Sequence, residues 1–148
     1  MHTKGAAVLF NFENAKYLKN LQEKLINNNK TKNGLELTEL IVDSIQDIKG
    51  KNIVRLDLRD IDDAPTDFFI ICEGDSVTQV NAIADNIVRR LKEELDIRPS
   101  HVEGKQSAQW VLVDYFDVVV HVFYPETRKF YEIEDLWADA KHTEYQNI

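Results

Sequence analysis

WVLVDYFDVVVHVF, residues 110–123, sets two aspartates and a histidine in an otherwise apolar, β-branched run. Such residues fit a pleated, buried surface. WVLV and DVVVHVFY therefore read as two strands. The tight connection at 113–118, around Asp114–Asp117, predicts that they pair antiparallel. Two adjacent strands this apolar must either bury both faces or leave one face for a partner. His121 alternates with Val120 and Val122, so it shares a face with Val119 and Phe123. A lone strand histidine in that setting reads as hydrogen-bonded structure.

Working outward, DFFIICE at 67–73 is short, continuous and apolar, as a central strand would be. NIVRLDL at 52–58 reads as another strand, and RDIDDAP at 59–65 as a turn-rich loop. Ser76 and Gln79 form a capping box that opens a helix. Val80, Ile83, Ala84, Ile87, Leu91 and Leu95 line one face of that helix, and Pro99 is placed to stop it. Leu37, Leu40, Ile41, Ile45 and Ile48 give a second amphipathic helix over 35–49, with Gly50 as a left-handed cap. SHVEG at 100–104 reads as a short strand and turn. Ile133, Leu136, Trp137 and Ala140 mark a short C-terminal helix near 132–141. The expected fold is α/β: a mixed sheet of about five strands with two long helices packed on it and a short helix at the end. The strand–helix–strand unit around 76–95 implies a right-handed crossover.

Residues 1–34 read as a separate, flexible arm, with 35–148 as the folded domain. Leu18, Leu21 and Leu25 allow a short helix near 13–26, and NNNKTKNG at 27–34 reads as a polar linker. The arm holds six Lys and two Glu, a balance of +4; the total of −8 then leaves −12 on the remainder. So acidic a domain argues against phosphate-dominated nucleic-acid binding, which needs Lys and Arg to replace counterions. It favours a basic protein partner. No apolar stretch approaches the ~18–20 residues of a membrane span. The single cysteine, Cys72, lies in an apolar strand and reads as a buried core thiol. One thiol with no secretory leader pattern fits a reducing, cytoplasmic setting.

Four chemical readings can be weighed. Gly74–Asp75–Ser76 follows a strand and opens a helix, where a phosphate could sit. A nucleotidyl transferase would also need closely spaced carboxylates to hold Mg²⁺. The chain offers Asp57, Asp60, Asp62 and Asp63 but no Asp-x-Asp pair on the strand after the helix, and Asp75 would repel phosphate. For a metal site, His101 and His121 lie about twenty residues apart, with no clustered Cys or His. A Ser–His–Asp triad lacks a nucleophile elbow around Ser76. Catalytic residues, metal and cofactor are therefore expected to be absent. The fourth reading is interaction: Trp110, Tyr115, Phe116, Tyr124, Tyr131 and Trp137 crowd the last third. Trp and Tyr are the usual anchors of interfaces. Trp137 follows a helical period and reads as core, whereas Trp110 fits core and surface anchor equally.

The segments APTDFFIICEGDSVTQVNAIAD at 64–85 and HVEGKQSAQWVLVDYFDVVVHVFYPETRKFYEIEDLW at 101–137 closely resemble the ribosomal silencing factor family, RsfS, also called Iojap. The resemblance covers about residues 35–140 and several motifs in order. It implies a nucleotidyltransferase-like fold without the catalytic carboxylates. It also implies a factor that binds the large ribosomal subunit through its ribosomal protein number fourteen and blocks joining of the small subunit. Translation would then fall when nutrients are short. A large-subunit assembly factor is a close variant, and an atypical nucleotidyltransferase-like enzyme the unrelated alternative. The partner face carried over is Trp110 as apolar anchor with Val111, Asp114, Tyr115 and Asp117; Glu103 and His121 match family motifs too. The family also implies a homodimer when free. Phe116 stands where the family usually has Gly, and Glu73 where it has a small residue. The arm 1–34 has no counterpart: it is either a misplaced start or an extra contact with ribosomal RNA. Direct RNA contact is otherwise expected to be minor or none.

Overall fold

A computed structural model describes residues 12–148. The chain divides into two compact units at Asn33/Gly34. Helix α1, Phe12–Asp47, runs through the polar stretch at 27–34, which is helical instead of a linker. That stretch holds no proline, and Asn, Lys and Thr each cost only about 0.7 kcal/mol or less in a helix already under way. The part of the expected arm before Phe12 lies outside the described residues.

In the second unit, Leu37, Ile41, Val42 and Ile45 of α1 are buried. The buried hydroxyls of Thr38 and Ser44 are satisfied locally, donating to the carbonyls of Leu35 and Leu40 at 2.7 Å each. The helix does not end in a left-handed glycine. Lys49 takes the positive φ, 60°, and Gly50 serves another purpose. A Cβ on Gly50 would lie 2.3 Å from Ile45 Cγ2, so glycine here permits close approach.

The strands are β1 Lys51–Asp57, β2 Phe68–Glu73, β3 His101–Glu103, β4 Trp110–Asp114, β5 Val118–Phe123 and β6 Lys141–Glu144. They form one mixed sheet in the order β3-β4-β5-β2-β1-β6. Only the β2–β5 pair is parallel; β4–β5 is antiparallel, as the tight connection required. The sixth strand, β6, joins the outer edge beside β1; the sequence predicts no element after the helix expected near 132–141. It is a mostly exposed KHTE segment with no apolar alternation to announce it.

Helix α2, Val77–Leu95, joins β2 to β3. Ser76 Oγ accepts from Gln79 N at 3.0 Å, as in a capping box, but the Gln79 side chain accepts from Asp75 N at 2.6 Å, one residue earlier than expected. The helix stops at Asp96, φ 54°, three residues before Pro99; Asp96 N–H donates back to the carbonyl of Lys92 at 3.1 Å. The C-terminal helical part is two short pieces, α3 Pro125–Tyr131 and α4 Ile133–Leu136, with Glu132 in the left-handed region between them.

Strand alternation sorts the core into two layers. Phe68, Ile70, Cys72, Val111, Val113, Val118, Val120 and Val122 face α1 and α2. Cys72 is fully buried there, and burial pushes its thiol up to about 12. On the opposite face Leu56, Phe69, Ile71 and Phe123 are covered by Ile133, Trp137 and Ala140. That cover is made of short pieces, and Tyr131 at the end of α3 extends it to Trp110 on β4.

Candidate functional site: the open half of the sheet

Register fixes what the second face presents. One row runs His101, Asp114, Val119, Phe69 from β3 to β2, and the next Glu103, Leu112, His121, Ile71. A third starts Trp110, Phe123. At the β2 end these residues are buried. At the β3–β4 end Trp110, Leu112, Asp114 and Val119 are only half-buried, and His101 and Glu103 are exposed. Among the described residues of the second unit, no long helix covers this half. It is an apolar strip with carboxylates along its rim.

Trp110 is the largest group on it. Its ring stacks on Phe123 with centroids 4.9 Å apart and leans on Tyr131 at 4.9 Å. Its indole N–H donates to His121 Nδ1 at 3.1 Å. Trp110 lines two clefts. One, of about 460 Å³, lies against Gln109, Tyr124, Thr127, Phe130 and Tyr131. The other, of about 290 Å³, lies against Glu103, Gly104 and Leu112. Gly104 lets the β3–β4 turn close on this strand: its φ is +88°, and a Cβ would sit 2.1 Å from the Trp110 carbonyl oxygen. His121 is the expected structural histidine, buried beside Phe69, and desolvation pushes its pKa down to about 4.

The carried-over partner residues divide by parity. Trp110, Asp114 and Glu103 lie on the open face. Val111 is fully buried under the helices and Tyr115 is 6% exposed, so neither side chain belongs to that face. Side chains alternate along a strand, and counting by twos from Trp110 would have excluded Val111 and selected Leu112. Asp117 sits in the hairpin, its carbonyl accepting from Phe68 N–H at 3.0 Å. Asp114 Oδ1 accepts from Phe116 N–H at 2.8 Å, and Asp114 Oδ2 lies 3.8 Å from His101 Nδ1. His101 Nε2 is 3.3 Å from Glu103. Phe116 takes the left-handed φ, 69°, that a glycine would hold, and its ring is 77% exposed. Composition had marked Phe116 only as one aromatic among several; nothing local announces that it stays outside.

The candidate phosphate turn is occupied internally. Asp75 N–H and Gln79 N–H are bound by side chains, and Asp75 pairs with Lys51 at 2.8 Å. Asp57 is gripped by Arg59 at 2.9 and 2.7 Å, which holds its carboxyl below the usual range. Among the described residues no group of three His, Cys, Asp or Glu is placed to hold a metal ion, and no helix is long and apolar enough to cross a membrane.

In the described second unit, long helices on one face, short helical pieces over part of the other and an open remainder around an aromatic anchor define an α/β sandwich that presents a sheet surface. Comparison with known proteins gives this class its family. The model of the family described as "Ribosomal silencing factor during starvation", RsfS, matches residues 31–148. Ribosomal silencing factor RsfS of Halalkalibacterium halodurans is 40% identical over 113 residues, 76% of this chain and 95% of that protein. A crystal structure of a Chromobacterium violaceum protein superposes with a TM-score of 0.67 at 40% identity, covering 70% of this chain and 85% of that one. The mouse protein named mitochondrial assembly of ribosomal large subunit protein 1 is 37% identical over 76 residues, 49% of this chain and 33% of its own length. The chain belongs to the ribosomal silencing factor family.

Proposed function

We propose that this protein docks on the large ribosomal subunit through ribosomal protein number fourteen and blocks joining of the small subunit, repressing translation when nutrients are short. The observation that carries the reading is the open half-sheet: Trp110 and Leu112 on an apolar strip, with Glu103 and Asp114 at its rim. An aromatic anchor ringed by polar groups is how interface hot spots are built. The carboxylates suit a basic ribosomal protein. The mechanism is steric occlusion without chemistry or cofactor, carried out in the cytoplasm. Family membership supports a ribosomal role. The test is a sucrose gradient of ribosomal subunits with the protein added. Comigration with free large subunits supports docking; protein that stays at the top of the gradient contradicts it. The mouse relative's name favours a second reading, large-subunit assembly, for the same surface. Depleting the protein would then lower large-subunit yield even in nutrient-rich growth.

A further inference from the structure

Trp110 spends its only side-chain hydrogen-bond donor on His121. An indole nitrogen donates and never accepts, so His121 Nδ1 is the unprotonated nitrogen and the ring proton sits on Nε2. That Nε2 is buried and meets no partner among the described residues, and His121 as a whole is 5% exposed. A buried donor without an acceptor is costly, and an apolar residue of the same shape would avoid the cost. The strand neighbours that share its face, Val119 and Phe123, are apolar. The imidazole is also held in place. Phe69 meets it edge-on, centroids 4.6 Å apart at 81°, and Phe123 lies nearly parallel to it at 15°. A fixed ring therefore presents one fixed acceptor, and the half-exposed indole above it is tied to that point.

We propose that His121 is a positioning residue: it sets the orientation of the Trp110 indole on the open half-sheet, from beneath the surface a partner would touch. The inference rests on that half-sheet being the docking surface. Burial keeps the imidazole neutral at physiological pH, so the acceptor is always available. The bond fixes which edge of the indole points inward and leaves its carbon face for the partner. The unsatisfied Nε2–H is the cost of having an acceptor at Nδ1.

The experiment compares the full-length chain with His121→Phe and His121→Asn. Phe keeps the ring and its aromatic contacts but offers no acceptor. Asn places an amide oxygen where Nδ1 sits. In free ¹⁵N-labelled protein, with the two indole signals assigned through Trp137→Phe, the Trp110 indole N–H should exchange slowly in wild type. It should lose about tenfold or more of that protection in His121→Phe, the scale of one hydrogen bond. Thermal stability of His121→Phe should be unchanged or higher. Its affinity for purified large subunits should fall about tenfold, and His121→Asn should recover part of both signals. His121→Phe binding within twofold of wild type overturns the proposal. So does a loss of affinity that follows thermal stability across the two variants instead of following indole protection. Wild-type protein that binds no large subunits overturns the docking reading; positioning is then judged on the free-protein indole signal alone, and equal protection in wild type and His121→Phe overturns it.

Discussion

Trp110 is packed on one side and open on the other, and this division makes its role measurable. Its contacts with Phe123, Tyr131 and His121 contribute to the fold, yet the ring borders two clefts. Trp110→Ala should weaken binding to large subunits by about 2 kcal/mol or more if the residue is a hot spot. A fully buried Trp would instead cost about 3–5 kcal/mol of stability. The half-exposed ring should cost less than that. Binding and thermal unfolding measured on this one variant decide between anchor and core. Beneath it, His121 makes a separate prediction about pH. Its folded pKa, about 4, lies below the ordinary value of 6.5. The unfolded chain therefore takes up this proton first as pH falls. The stability tied to a neutral His121 is fully present above pH 6.5 and drains away as pH drops toward 4, on the order of 3 kcal/mol in all. Unfolding midpoints across that window should fall less steeply in His121→Phe than in wild type. Parallel slopes would show that His121 is not desolvated as described.

At the scale of elements, the two turns flanking β4 carry opposite predictions. Gly104 has both a positive φ and no room for a Cβ, so Gly104→Ala should lose more than about 1 kcal/mol of stability. Phe116 occupies the left-handed region without being glycine, so Phe116→Gly should be neutral or stabilising, by up to about 1 kcal/mol. Chemical denaturation of the two variants beside wild type checks the signs. These turns also show what could be read in advance. The β4–β5 hairpin was legible because a short connection flanked by Asp114 and Asp117 between two β-branched runs leaves little alternative to antiparallel pairing. The α2 face was legible from its period. The edge strand β6 was not, because its pairing with β1 is a long-range event that KHTE does not encode locally. Of the residues that the family resemblance carries over, Trp110, Glu103 and Asp114 lie on the open face, whereas Val111 and Tyr115 came with the same segment and are buried by alternation. The link between Trp110 and His121 depends on two residues eleven apart meeting across strands, which alternation allows but does not require.

For the whole molecule, charge is the governing property. Residues 35–148 carry −12, and the open half-sheet has Glu103 and Asp114 at its rim. Attraction to a basic surface should speed association and weaken with salt. Asp114→Asn with Asp117→Asn keeps size and most hydrogen-bonding geometry while removing two charges. Association with large subunits should slow, and its salt dependence should become shallower. Identical salt slopes for wild type and the double variant would make both aspartates turn-formers only. Occlusion itself is a statement about stoichiometry. The most direct measurement is a titration of this protein into purified subunits while formation of whole ribosomes is followed. Inhibition that rises in proportion and completes near one copy per large subunit is the predicted result. Full inhibition at far below one copy per subunit would mean turnover, and would contradict a factor that acts only by occupying the surface.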